Sequence, residues 1–203
     1  MSRRLAVLIS GRGSNLQSIV EAIRRGELDA SVEVVISSRP DAAGLRRARE
    51  AAIEATCVSP RDYPDREACD RALVAILRAH EVDLVCLAGF MRLVGAPLLE
   101  SFQNRILNIH PSLLPAFPGL EAQRQALEHG VRISGATVHL VTADLDGGPI
   151  VLQAAVPVLD DDTVDALSAR ILVEEHRLFP EAIRLVLDGG WTLEGRRFVR
   201  AQP

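Results

Sequence analysis

Along the first half of the chain, short uninterrupted apolar runs alternate with longer segments whose apolar positions recur every three or four residues. Residues 5–10, 32–37, 84–88 and 106–109 are predominantly apolar runs of strand length, as in strands buried on both faces. Between them, 15–25, 42–55 and 65–80 carry single apolar stripes at helical spacing. This alternation predicts an α/β fold, a Rossmann-like doubly wound and mostly parallel sheet covered by helices.

After His110 the texture changes. Pro111, Pro115 and Pro118 punctuate a loop, and two longer β-like stretches follow at 132–142 and 149–158. They predict antiparallel additions in the C-terminal part. A helical pattern over 163–187 contains Pro180, which should kink or break it, and ends before Gly189-Gly190. The tail at 191–200 reads as a terminal strand or hairpin. With 203 residues and no repeat, linker or low-complexity segment, the chain is expected to be a single domain over 1–203. Its halves divide at about residue 110.

Composition narrows the chemistry. All 23 basic residues are Arg, so lysine Schiff bases, a P-loop lysine and a lysine general base are excluded. A net charge of -4 argues against nucleic-acid binding, and no apolar run approaches the ~20 residues of a membrane span. Cys57, Cys69 and Cys86 form no CxxC pair and read as small buried residues in a reducing compartment. The apolar stretch behind the basic N-terminus is too short for a signal peptide, so a cytoplasmic protein is expected.

Gly11-Arg12-Gly13-Ser14-Asn15 falls where the first strand gives way to the first helix. Backbone N–H groups of such a turn can curl around an anion, assisted by the helix dipole. Leu16 stands where a dinucleotide fingerprint needs a third glycine, which leaves a single phosphate as the better ligand. The plainer alternative is a tight turn with Ser14 or Asn15 as helix N-cap.

Asn108 and His110 alternate with Leu107 and Ile109 at the end of an apolar strand, so both should project from one face. An amide there can donate to a developing oxyanion, and an imidazole can donate or shuttle a proton. Asp146, in the turn Leu145-Asp146-Gly147-Gly148-Pro149, can return a carboxylate to the same edge, where it would hold the imidazole protonated or exchange a proton with it. An ordinary turn Asp and strand-end caps are the alternatives. Glu175 falls on the apolar stripe of the last helix, where it meets either an Arg or a polar substrate group. The His residues lack metal-ligand spacing, and no metal is expected.

Taken together, Gly11 through Gln17, the run Leu87-Ala88-Gly89-Phe90-Met91-Arg92, the run Asn108-Ile109-His110-Pro111-Ser112-Leu113-Leu114-Pro115, and the Asp146 turn resemble the motifs of the phosphoribosylglycinamide formyltransferase family, in the same order. The resemblance runs from about Leu5 to Pro180. It implies formyl transfer from 10-formyltetrahydrofolate, as cosubstrate, to a phosphoribosyl glycinamide amine, in a single formyltransferase domain with a nucleotide-binding half at about 1–110 and a folate and catalytic half at about 111–203. It further implies that Gly13, Ser14, Asn15 and Glu175 contact the phosphoribosylglycinamide. The folate falls to Arg66, Met91, Arg92, Leu93, Val94, Asn108, Thr142, Ala143, Asp144, Leu145 and Asp146, and catalysis to Asn108, His110 and Asp146. Partners are small molecules, with neither nucleic acid nor membrane, and the protein is a monomer or homodimer. Glu121 and Gln123 stand where relatives often carry His, and Arg12 where many carry Asn. The nearest rival is hydrolysis of formyltetrahydrofolate, whose enzymes add an N-terminal domain and a different residue after the catalytic His, here Pro111. Transfer to initiator tRNA would need a further domain and a basic surface, and a nonenzymatic nucleotide-binding module would leave Asn108, His110 and Asp146 unexplained.

Overall fold

Buried strands of this kind exclude water from both faces of a sheet, and the chain builds them first. The computed structural model describes residues 3–201. Strand β1 (Arg3–Ile9) has Leu5 through Ile9 without solvent exposure, each contributing about 1.5–3 kcal/mol, or less for Ala6, by leaving water. It pairs in parallel with β2 (Ala30–Ser37) and β4 (Leu84–Leu87); β2 pairs with β3 (Glu54–Cys57), and β4 with β5 (Ile106–His110), all parallel. The order β3-β2-β1-β4-β5 is the doubly wound half that the pattern predicts. Its helices are α1 (Ser14–Arg24), α2 (Ala43–Glu50), α3 (Arg66–Ala79) and α4 (Ala96–Ser101).

The chain divides into two compact units between Asn108 and Ile109, inside β5. In the second, β6 (Ile133–Leu140) and β7 (Ile150–Pro157) pair antiparallel, and β8 (Trp191–Glu194) with β9 (Arg197–Arg200) forms the expected hairpin. β9 joins β7 in parallel at Ile150 and Arg197. A short helix α5 (Ala122–Glu128) and a long one, α6 (Val164–Asp188), complete it; α6 packs against β6 and β7. The protein is thus α/β, with a mostly parallel sheet and antiparallel strands in its C-terminal part.

The short helices α4 and α5 are not among the expected elements, and two expected elements differ. The helix expected over 42–55 stops at Glu50, and β3 follows. Ala52 takes a left-handed φ of 59°, with its N–H on the Arg49 carbonyl and that of Ile53 on the Ala48 carbonyl. That is a Schellman stop with Ala where Gly usually stands. The expected break at Pro180 is absent, and α6 runs unbroken through it. A proline inside a helix costs about 3 kcal/mol, but Leu178, Phe179, Ala182 and Ile183 are all buried on one stripe around it. Burying Phe179 and Ile183 alone returns roughly as much.

Candidate active site

In the first unit, the turn from β1 into α1 is shaped by glycine. Gly13 is the N-cap of α1 with φ 73°, and no side chain caps the helix. The alternative of Ser14 or Asn15 as N-cap is therefore not what the turn adopts. A Cβ at Gly13 would also stand 2.8 Å from the Gly44 Cα, because Gly44 donates its N–H to the Gly11 carbonyl at 3.0 Å. Left-handed φ and close backbone approach therefore both require glycine. Ser14 is half-buried and Asn15 buried at this turn. Arg12 is exposed, and its carbonyl accepts from Arg47 Nε at 3.0 Å. Arg47, three residues past Gly44 on α2, thus adds a guanidinium beside the loop; the sequence offers no sign of it because α2 reaches the loop only through the fold.

The segment after β4 carries Met91, Arg92, Leu93 and Val94. Met91 and Leu93 are exposed, while Arg92 turns inward to Asp70. Arg66, the first residue of α3, joins Arg92, Leu93, Tyr63, Pro60, Pro64 and Asp65 around a cleft of about 380 Å³. Arg66, Arg92 and Leu93, separated by some 26 residues in the chain, therefore share one cavity.

In the second unit, His110 ends β5 with its side chain 6% exposed. Its Nδ1 lies 3.5 Å from Asp146 Oδ2, and its Nε2 makes a 2.8 Å hydrogen bond to the Phe117 carbonyl. With Nε2 donating there, Nδ1 faces the carboxylate. Asp146 has a left-handed φ of 49°, a conformation that Asp tolerates better than most residues. Its Oδ2 accepts the Gly119 N–H at 2.7 Å, and its Oδ1 lies 3.6 Å from His139 Nε2. His139, buried on β6, is the residue missed by pattern reading: β6 is buried on both faces from Ser134 to Leu140, so no alternation singled it out. Thr142, Ala143, Asp144 and Leu145 form an exposed loop leading into Asp146. Asn108 is half-buried two residues before His110 on β5, and Glu175 is buried on the stripe of α6 with Ile171 and Leu178.

The electrostatics correct one expectation. Burial pushes the His110 pKa below its ordinary value, outweighing the Phe117 carbonyl and the Asp146 charge, with His139 also lowering it. The free site thus holds His110 neutral near pH 7 and not as an imidazolium. For Asp146 burial raises the pKa, but the His139 hydrogen bond, the Gly119 N–H and the two imidazoles together hold it below the usual carboxylate range. The site pairs an ionised carboxylate with a neutral imidazole whose next proton would land beside it. Such a pair can accept and pass on a proton.

A doubly wound fold carrying this pair defines a class. The formyl transferase family model matches residues 3–183, and the chain belongs to that family. It is 45% identical to phosphoribosylglycinamide formyltransferase of Escherichia coli (strain K12) over 185 residues, covering 91% of this chain and 87% of that protein. It is 48% identical over 189 residues to the trifunctional purine biosynthetic protein adenosine-3 of Drosophila melanogaster, covering 92% of this chain but spanning only 14% of that relative. Among solved structures, glycinamide ribonucleotide transformylase 1 from Symbiobacterium toebii superposes with a TM-score of 0.97 at 61% identity, covering 99% of this chain and 95% of that one.

Proposed function

We propose that the chain is a phosphoribosylglycinamide formyltransferase, moving the formyl group of 10-formyltetrahydrofolate to the glycinamide amine of N1-(5-phosphoribosyl)glycinamide in de novo purine biosynthesis. The observation that carries the reading is the Asp146 carboxylate set between His110 and His139, at 3.5 and 3.6 Å. The names of the bacterial relatives, whose length the chain largely covers, support formyl transfer and the phosphoribosylglycinamide acceptor.

The neutral amine attacks the formyl carbon, a C–N bond forms, and negative charge develops on the formyl oxygen. The Asn108 amide is assigned to that oxygen as donor. The proton released by the amine goes to neutral His110, directly or through water, and the resulting imidazolium is stabilised by Asp146. His110 then returns the proton to the folate nitrogen as its bond to the formyl carbon breaks. Atoms and charge balance without a metal, and the catalyst's task is positioning and proton transfer.

Gly13, Ser14 and Asn15 are assigned to the substrate phosphate through the uncapped start of α1. Glu175 is assigned to the same substrate. The folate falls to Arg66, Met91, Leu93, Val94 and the loop from Thr142 to Asp146; Arg92 serves it through its backbone, since its guanidinium faces Asp70. A cytoplasmic setting and a monomer or homodimer accompany this reading.

The test mixes purified protein with 10-formyltetrahydrofolate, with and without the glycinamide substrate. Formylated glycinamide and deformylated folate are expected in equal amounts, and only when the amine is present. Folate deformylated at the same rate without the amine refutes the transferase reading in favour of hydrolysis.

A further inference from the structure

Asp70 plays no part in the chemistry above, yet it is a fully buried carboxylate on α3. Replacing a buried ion pair by apolar residues often leaves stability unchanged or improved, so packing alone does not account for a charge here. Its contacts do. Oδ2 accepts the Gly95 N–H at 2.5 Å, and Oδ1 lies 3.4 Å from Arg92 Nη2. A Cβ at Gly95 would come within 2.8 Å of that oxygen, so the glycine admits the carboxylate to the backbone. Arg92 is held further by Cys69, whose Sγ lies 3.1 Å from Nη1, and by the Phe90 ring, 5.7 Å from its guanidinium carbon.

The other end of the segment is fixed in the same manner. Met91 donates its N–H to Ser10 Oγ at 2.8 Å, and Ser10 is braced by Ser38 at 2.6 Å, oxygen to oxygen. Both serines are buried. Two buried side chains thus take the backbone N–H groups at positions 91 and 95. Between them Arg92 points inward, with its side chain 12% exposed, while Met91 and Leu93 are 68% and 55% exposed. The segment, bent at Arg92, is thus held with the Met91 and Leu93 side chains outward.

We propose that Asp70 and Ser10 are positioning residues, clamping the segment from Met91 to Gly95 so that Met91 and Leu93 face the formyl donor. The proposal rests on the donor assignment made above. It makes Arg92 an internal strut and not a ligand for substrate anions. It also separates two roles within one motif, since the Arg92 side chain anchors while those of Met91 and Leu93 receive.

The experiment measures 10-formyltetrahydrofolate and phosphoribosylglycinamide affinities by calorimetry in wild type, Asp70→Asn and Ser10→Ala. Asp162→Asn serves as a control: its carboxylate, with the side chain 2% exposed, pairs with Arg170 at 2.8 Å and is remote in sequence from the segment. Asp70→Asn is expected to weaken donor binding about tenfold and Ser10→Ala about threefold, with acceptor affinity unchanged within twofold. Asp162→Asn lowers the melting temperature and leaves both affinities alone. A folded Asp70→Asn with wild-type donor affinity overturns the clamp, as does equal weakening of both ligands. If Asp70→Asn does not fold, Ser10→Ala decides, and unchanged donor affinity there overturns it. Wild type that binds the donor but does not transfer its formyl group refutes the proposed function, while the affinities still judge the clamp.

Discussion

Replacing Asp146 by Asn removes one charge and little else. Asn tolerates left-handed φ as well as Asp does, and its amide oxygen can still accept the Gly119 N–H. What disappears is the attraction between the carboxylate and an imidazolium formed on His110. At the observed 3.5 Å and an effective dielectric near 20, that attraction is about 5 kcal/mol, an upper value. In the free enzyme His110 is neutral, so the loss falls on the protonated state reached during transfer and not on the resting one. Each 1.4 kcal/mol is about tenfold in rate, so kcat should fall by about a thousandfold. The affinities for both substrates, measured by calorimetry on the same preparation, should stay within about threefold. Steady-state transfer assays at pH 7.5 give kcat. A variant that retains more than a tenth of wild-type turnover would refute the claim that Asp146 stabilises a proton on His110.

Three further outcomes follow from the geometry. Because burial lowers the His110 pKa, its contribution to stability is present above the ordinary value of 6.5 and fades as pH falls below it. The unfolding free-energy difference between wild type and His110→Asn should therefore shrink between pH 7.5 and 5, and a constant or growing difference contradicts the assignment. The comparison cancels His80, whose pKa is raised by the Ile76 carbonyl and Glu54 and which acts in the opposite direction. Ala52→Gly should stabilise the protein by up to about 1 kcal/mol in urea titrations by relieving the left-handed Ala, less the added freedom of the unfolded chain. Gly13→Ala must accept both a left-handed φ and a 2.8 Å contact, and should cost on the order of 2–4 kcal/mol in the same assay.

What could be read from the sequence depended on whether a local signal survived the fold. Consecutive apolar residues announce β1, and the alternation of Asn108 and His110 at a strand end, with a Gly-Gly-Pro turn behind Asp146, points to the two side chains that the fold brings within 3.5 Å, His110 and Asp146. β3 was hidden because Ala52 ends α2 in a backbone conformation that Gly normally marks, so the alanine-rich stretch read as continuous helix. Pro180 gave a true local cost that the buried stripe around it outweighs. His139 sat in a strand buried on both faces, where period two carries no information. Asp70 and Arg92 become meaningful only as a pair 22 residues apart, which no local pattern marks.

The position of Cys69 under Arg92 gives the protein a clock for its own motion. Cys57 is half-exposed and should react with a thiol reagent soonest. Cys86 is fully buried with its pKa pushed up by burial, so it reacts only when the β-sheet opens. Cys69 is just as inaccessible, but its Sγ also lies 3.1 Å from Arg92 Nη1. Labelling of Cys69 faster than that of Cys86 would show that the Arg92 contact opens without the sheet, an opening far smaller than global unfolding. Three thiols in three different settings make local opening measurable in the unmodified chain.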